Sequence, residues 1–227
     1  MIGVNPGMSR DSFAASVSLA AALALVAPNV ARAGEFEVNP DAGNNSFSAV
    51  FDAKLGERIN AVSSAIGCQL TYDEKAGLAS GKCSVPIESI RVDNDDTKSD
   101  HFRQWTTNKK SDPAQCRIEA VFSGVKVGTL VAGMPAAFGA EIPFTVCGRG
   151  RAGGVKEKVS GTALLFPAGT YGEKTTIRIR ATVADFDRDA YRIGPKYTDG
   201  WLARVQALAT VVAEKGTVEL SLFAKAK

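Results

Sequence analysis

From residue 46 onward, side chains alternate between apolar and polar with a period of two, and this alternation constrains the fold more than any other feature. Phe47, Ala49, Phe51 and Ala53 share one face, while Ser46, Ser48, Asp52 and Lys54 share the other with Val50. Thr175, Ile177, Ile179, Ala181 and Val183 alternate with Thr176, Arg178, Arg180 and Thr182, and Val218, Leu220 and Leu222 end the chain in the same way. A side-chain period of two is the signature of a half-buried strand, because successive Cβ atoms point to opposite faces of a sheet. Turn signals punctuate the strands at Asp41–Asn45, Asp73–Gly77, Pro167–Gly169 and Glu214–Gly216. Many short strands at such spacing predict an all-β fold, an antiparallel sandwich or barrel.

The first 33 residues break that pattern. No charge occurs between Phe13 and Val30, leucines 19, 23 and 25 sit among alanines, and Ala31-Arg32-Ala33 is a small-x-small sequence. This reads as an export leader cleaved after Ala33, leaving residues 34–227 as one domain. A retained membrane anchor is the competing reading. The uncharged stretch is short of the ~20 apolar residues a span requires, and Pro28 interrupts it. The expected location is therefore periplasmic or secreted. With a net charge of +3 and mixed signs along the chain, no basic stripe exists for a phosphate backbone, so a nucleic-acid partner is not expected.

The four cysteines fit an oxidising compartment. Cys68, Cys83, Cys116 and Cys147 all follow the leader and form no C-x-x-C pair. If Tyr72 pairs with Ala79 across the turn at 73–78, Leu70 faces Gly81 and Cys68 faces Cys83. Cys116 and Cys147 would then join Gln115–Phe122 to Glu141–Cys147. Other connectivities, and a reduced pair, stay open at this level.

One helix interrupts the strands. Thr97-Lys98-Ser99-Asp100 has the spacing of a capping box, followed by His101-Phe102-Arg103-Gln104-Trp105. Phe102 and Trp105 are three apart and share a face.

The order of these features resembles the YceI-like family of bacterial exported proteins. The residues that carry the likeness are Ser46–Phe51, the hairpin ending Cys83–Ile90, Asp100–Trp105, Asp112-Pro113 leading into Cys116–Phe122, and the late Phe186-Asp187-Arg188-Asp189-Ala190-Tyr191-Arg192-Ile193-Gly194. The resemblance spans about residues 35–227. It implies a lipocalin-like antiparallel β-barrel with the short helix near its mouth. It further implies an interior that holds a polyisoprenoid tail, such as that of a quinone or a polyprenyl phosphate. The family more often has Arg-Asp where this chain has Ser99-Asp100, and the four cysteines and the stretch Gly148–Gly154 are not shared hallmarks.

The residues offer little to an enzyme. Gly148-Arg149-Gly150-Arg151-Ala152-Gly153 matches a dinucleotide fingerprint in letters, but Val155–Val159 after it reads as a strand, not as the helix whose N-terminus would hold a pyrophosphate. Aspartates from Asp93 and from Asp185 fail the calcium-loop pattern, with Lys98 or Ala190 at the sixth position and Gln104 or Lys196 at the twelfth. His101 is the single histidine, without a nucleophile turn or a second metal ligand. The expectation is a non-enzymatic binder with no metal site and no cofactor beyond a bound isoprenoid lipid or quinone. Phe51, Phe102, Trp105, Phe122, Phe144, Phe186 and Tyr191 are its candidate cavity lining, with His101 and Arg103 at the rim for a polar head. The competing expectation is that these aromatics fill a packed core, since a barrel of eight strands either fills with side chains or holds one small ligand. In that case the chain is a structural subunit docking on an envelope complex. A second copy, as a homodimer, is the other candidate macromolecular partner.

Overall fold

The computed structural model describes residues 34–53, 56–108, 111–198 and 212–227. The expected leader, residues 1–33, lies outside them. Among the described residues, thirteen strands and one α-helix follow in chain order. They are β1 (Gly34–Val38), β2 (Ser46–Ala53), β3 (Arg58–Ser63), β4 (Gly67–Asp73), β5 (Leu78–Pro86), β6 (Arg91–Val92), then α1 (Asp96–Thr107). After the helix come β7 (Arg117–Lys126), β8 (Ala136–Ile142), β9 (Phe144–Val146), β10 (Arg149–Gly150), β11 (Glu157–Phe166), β12 (Thr176–Asp187) and β13 (Val212–Ala226).

Every ladder between these strands is antiparallel, and consecutive strands pair at β2–β3, β4–β5, β9–β10, β11–β12 and β12–β13. One kinked hairpin, β1 and β2 running out and β3 and β4 running back, pairs β2 with β3 and β1 with β4. β5 follows β4, β7 pairs with β5, and β11, β12 and β13 continue from β8. β13 closes on the starting hairpin through β2 along most of its length and β1 at its end. β8 lies alongside β7 without ladder hydrogen bonds. The result is the lipocalin-like antiparallel barrel, an up-and-down meander that leaves few open edges.

The alternation sets which side chains fill it. Phe47 and Ala49 of β2 are buried while Ser46 is exposed. On β12, Ile177 and Val183 turn inward and Arg180 outward. Rings as large as Phe51 fit because a neighbouring strand yields space. Gly216 on β13 lies opposite both Phe51 and Phe186, and a Cβ there would sit 2.5 Å from Phe51 Cδ1 and 2.4 Å from the Val50 carbonyl oxygen. Only glycine permits that approach.

The hairpin register is the expected one, with Tyr72 facing Ala79, Leu70 facing Gly81 and Cys68 facing Cys83. Both disulfides form as paired above, with Cα separations of 4.1 Å for Cys68–Cys83 and 4.6 Å for Cys116–Cys147. The second bridge flanks the short ladder in which Ile118 faces Val146. The helix differs in its start. Its cap is Asp95, whose side chain accepts from the Lys98 amide at 2.9 Å, and Thr97 already lies inside the helix. Asp95 has the extended backbone an N-cap needs, and a carboxylate at that end also meets the positive pole of the helix dipole.

The two ends of the barrel are closed differently. At one end, the connection between β7 and β8 folds inward and buries Leu130. Tyr72 holds it, donating its hydroxyl to the Gly128 carbonyl at 2.8 Å and accepting from the Leu130 amide at 3.0 Å. At the other end, α1 and the segment 188–198 lie across the opening.

Candidate functional site

Three cavities lie in file along the barrel interior. The lower one, of about 110 Å³, is bounded by Phe36, Leu70, Phe122, Phe138, Phe144 and Leu222 among others, none of them charged. The middle one, of about 60 Å³, is bounded by Phe47, Phe51, Phe102, Phe144 and Phe186. The mouth cavity, of about 130 Å³, lies under α1 and is bounded by Phe51, Ile59, Phe102, Trp105, His101 and Lys98. Phe144 and Leu220 border both the lower and the middle cavities, and Phe51, Phe102, Arg188 and Ile193 border both the middle and the mouth cavities. Each shared set is a constriction, so the three spaces form one interrupted path from the mouth to the sealed end.

The aromatics named from sequence divide among these spaces. Phe122 and Phe144 bound the lower cavity, Phe51, Phe102, Phe144 and Phe186 the middle one, and Phe51, Phe102 and Trp105 the mouth. His101 lies at the mouth, its ring parallel to Trp105 with centroids 6.1 Å apart. The i,i+4 spacing stacks one ring over the other on a single helix face.

Two named residues stand elsewhere. Tyr191 bounds none of the three cavities. It is fully buried, stacks on Phe186 at 5.0 Å, and donates its hydroxyl to Glu157 Oε1 at 2.8 Å. Glu157 also faces Arg151 at 3.2 Å. Burial, reinforced by the Glu157 carboxylate that the phenol donates to, pushes the Tyr191 pKa up, so this phenol stays neutral. Arg103 bounds no cavity either. One residue past Phe102, it is rotated about 100° around the helix, and its Nη1 pairs with Asp100 at 2.5 Å. The structure thus places Arg103 outside the set of residues that bound the mouth cavity.

The residue that the sequence reading passed over is Arg188. Among the described residues it is the only charged side chain bounding the middle cavity, and it bounds the mouth cavity as well. Its guanidinium is held by three backbone carbonyls. Nε donates to Ala213 at 2.9 Å, Nη1 to Ile193 at 2.7 Å and Nη2 to Val212 at 2.7 Å. Desolvation lowers its pKa, with Asp189 and Glu214 acting the other way. Gly194 keeps the pocket for the guanidinium open, since a Cβ there would lie 2.6 Å from Nη1. In the sequence, Arg188 stands among Asp185, Asp187 and Asp189, and such a run reads as a solvated turn. The one local signal is the glycine six residues on, which has a positive φ of 155° in the fold.

The mouth helix is fastened at its far end. Arg149 donates through Nη2 to the Thr106 carbonyl and through Nε to the Tyr191 carbonyl at 3.2 Å, linking α1 to the strand beyond Cys147. The stretch that matches a dinucleotide fingerprint in letters forms β10 and a single 3-10 turn at Ala152–Gly154, so no helix N-terminus is available for a pyrophosphate. Among the described residues, no three histidine, cysteine, aspartate or glutamate side chains converge as a metal site would require, and no helix is long and apolar enough to cross a membrane.

No family model matches the chain, and no curated protein sequence does. Among solved structures, that of a polyisoprenoid binding domain from Saccharophagus degradans implicated in plant cell wall breakdown matches with a TM-score of 0.57 and 12% identity. The match covers 86% of this chain and 100% of that one. At that identity the likeness is one of fold, and it is the fold that the YceI-like resemblance implies. The chain thus shares that domain's barrel fold, with α1 across its mouth.

Proposed function

We propose that this chain is an exported bacterial binding protein, without catalytic activity, that holds an amphiphilic isoprenoid such as a quinone or a polyprenyl phosphate for transport or sequestration. The observation that carries this reading is the row of apolar cavities along the barrel axis, sealed at one end and covered at the other by a helix bearing Phe102 and Trp105. A long tail buried there gains roughly 25 cal/mol per Å² of apolar surface removed from water. The fold neighbour is described as a polyisoprenoid binding domain, which supports the same ligand class.

A second reading has its own observation. The middle cavity is only about 60 Å³, whereas ligand pockets commonly span about 300–1,000 Å³. A barrel this full also suits a structural subunit docking on an envelope complex. Native mass spectrometry and organic extraction of the chain purified from its own periplasm separate the two. A stoichiometric isoprenoid supports the binder, and a lipid-free chain that co-purifies with envelope proteins supports the subunit.

A further inference from the structure

We propose that Arg188 is the headgroup anchor, and that the ligand's polar end is an anionic oxygen group, a phosphate or a carboxylate, held inside the barrel at the junction of the middle and mouth cavities. This rests on the binding role proposed above and adds where the head sits and what charge it carries.

Position is the first argument. A ligand that threads from the mouth into the middle cavity passes Arg188, because that side chain bounds both spaces. Lys98 and His101 bound the mouth beside it, and among the described residues no aspartate or glutamate does. A head at this point meets donors and positive charge, and the tail beyond it meets a mostly apolar lining of aliphatic and aromatic side chains.

The second argument is the state of the guanidinium. Its three partners are neutral carbonyls, and it forms no ion pair with a carboxylate among the described residues. Asp189 and Glu214 are engaged elsewhere, Asp189 by Lys196 at 2.5 Å and by the Tyr197 hydroxyl at 2.7 Å, and Glu214 by Lys196 at 3.5 Å. A guanidinium has five N–H donors, so the three bonds leave one on each terminal nitrogen. Half-buried positive charge facing an apolar space is unfavourable unless something neutralises it. An oxyanion does so with charge-assisted hydrogen bonds, which a neutral alcohol or quinone oxygen cannot match.

The third argument is preorganisation. The carbonyls of Ile193, Val212 and Ala213 fix the guanidinium plane before any ligand arrives, and Gly194 keeps its space open. A donor that is already oriented loses less freedom on binding.

Calorimetric titration of the delipidated full chain with farnesyl phosphate, farnesoate and farnesol, which share one tail, tests this. The parent should bind both anions at least about tenfold more tightly than the alcohol, the scale of one hydrogen bond to a charged group. Arg188→Gln should bring all three to near parity by weakening the two anions most, and a circular dichroism spectrum like the parent's reports that the barrel is folded. If Arg188→Gln does not fold, Arg188→Lys serves in its place, keeping a point charge without the fork, and its preference for the anions should shrink. Equal binding of anions and alcohol by the parent overturns the anchor, as does an undiminished preference in the variants. A chain that binds an isoprenoid quinone but none of the farnesyl compounds overturns the anionic head and leaves the binding role standing. A chain that binds no isoprenoid of any kind overturns both.

Discussion

At the scale of single residues, burial separates those that hold the barrel together from those that face its interior space. Tyr191 belongs to the first group. Its hydroxyl is fully buried, and its one acceptor is the equally buried Glu157. Tyr191→Phe should lower the unfolding free energy by about 1–3 kcal/mol, because a buried carboxylate loses a donor. Ligand affinity should not change. Urea denaturation followed by a lipid titration checks both, and a variant of parental stability would mean water replaces the hydroxyl at no cost. Sequence alone ranks Tyr191 with Phe186, two aromatics near one turn, and cannot see the glutamate 34 residues away that accepts the phenol's hydrogen bond. The reverse holds for Arg188, whose acidic neighbours in the chain suggest solvent, although its partners in space are the carbonyl of Ile193 and those of Val212 and Ala213 on β13. Both misreadings have one cause. A polar side chain's role is set by where its hydrogen bonds end, and in a barrel these cross from strand to strand.

At the scale of elements, strands were far more legible than the helix start. The alternation and turn residues fix the β4–β5 register to the residue, since a slip by one would turn Cys68 and Leu70 out to solvent. The sequence pattern centres the cap on Thr97, whereas Asp95, two residues earlier, has the extended backbone and the side-chain bond of the cap. With Asp95 as the cap, Asp95→Ala should cost about 1 kcal/mol, whereas Thr97→Ala, inside the first turn, should stay within about 0.5 kcal/mol. Thermal unfolding of the two variants decides between the frames. The helix also covers the mouth, and there its faces are unequal. Trp105→Ala removes apolar surface from the mouth cavity and should weaken lipid binding by about 1–3 kcal/mol. Arg103→Ala loses only a partly exposed pair with Asp100, so binding should match the parent. Fluorescence titration with an isoprenoid reads both, and equal losses for the two would mean that the whole helix moves on binding.

At the scale of the whole molecule, two questions follow from the barrel: what keeps it closed, and how far a ligand reaches inside. The disulfides lie on one side of the meander, Cys68–Cys83 across β4 and β5 and Cys116–Cys147 just outside the β7–β9 ladder. Non-reducing peptide mapping should recover these two links. Removing either should cost about 3 kcal/mol in the chain-entropy model, and four free thiols in exported material would reject the pairing. The reach of the ligand depends on the constriction between the lower and middle cavities, where Leu220 stands between Phe47 on β2 and Ala181 on β12. A tail that passes this point buries surface in both cavities, so affinity should climb with each added isoprene unit at roughly 25 cal/mol per Å². Leu220→Trp fills the passage at an overpacking cost of about 1–3 kcal/mol. Short tails, which end in the middle cavity, should then bind as before, while longer ones should gain nothing further. The measurement is a chain-length series with a constant head on parent and variant. Two curves that rise in parallel would mean that the tail never enters the lower cavity. A plateau in the variant alone would put the end of the tail against Phe122 and Phe138, above the segment that Tyr72 holds in place.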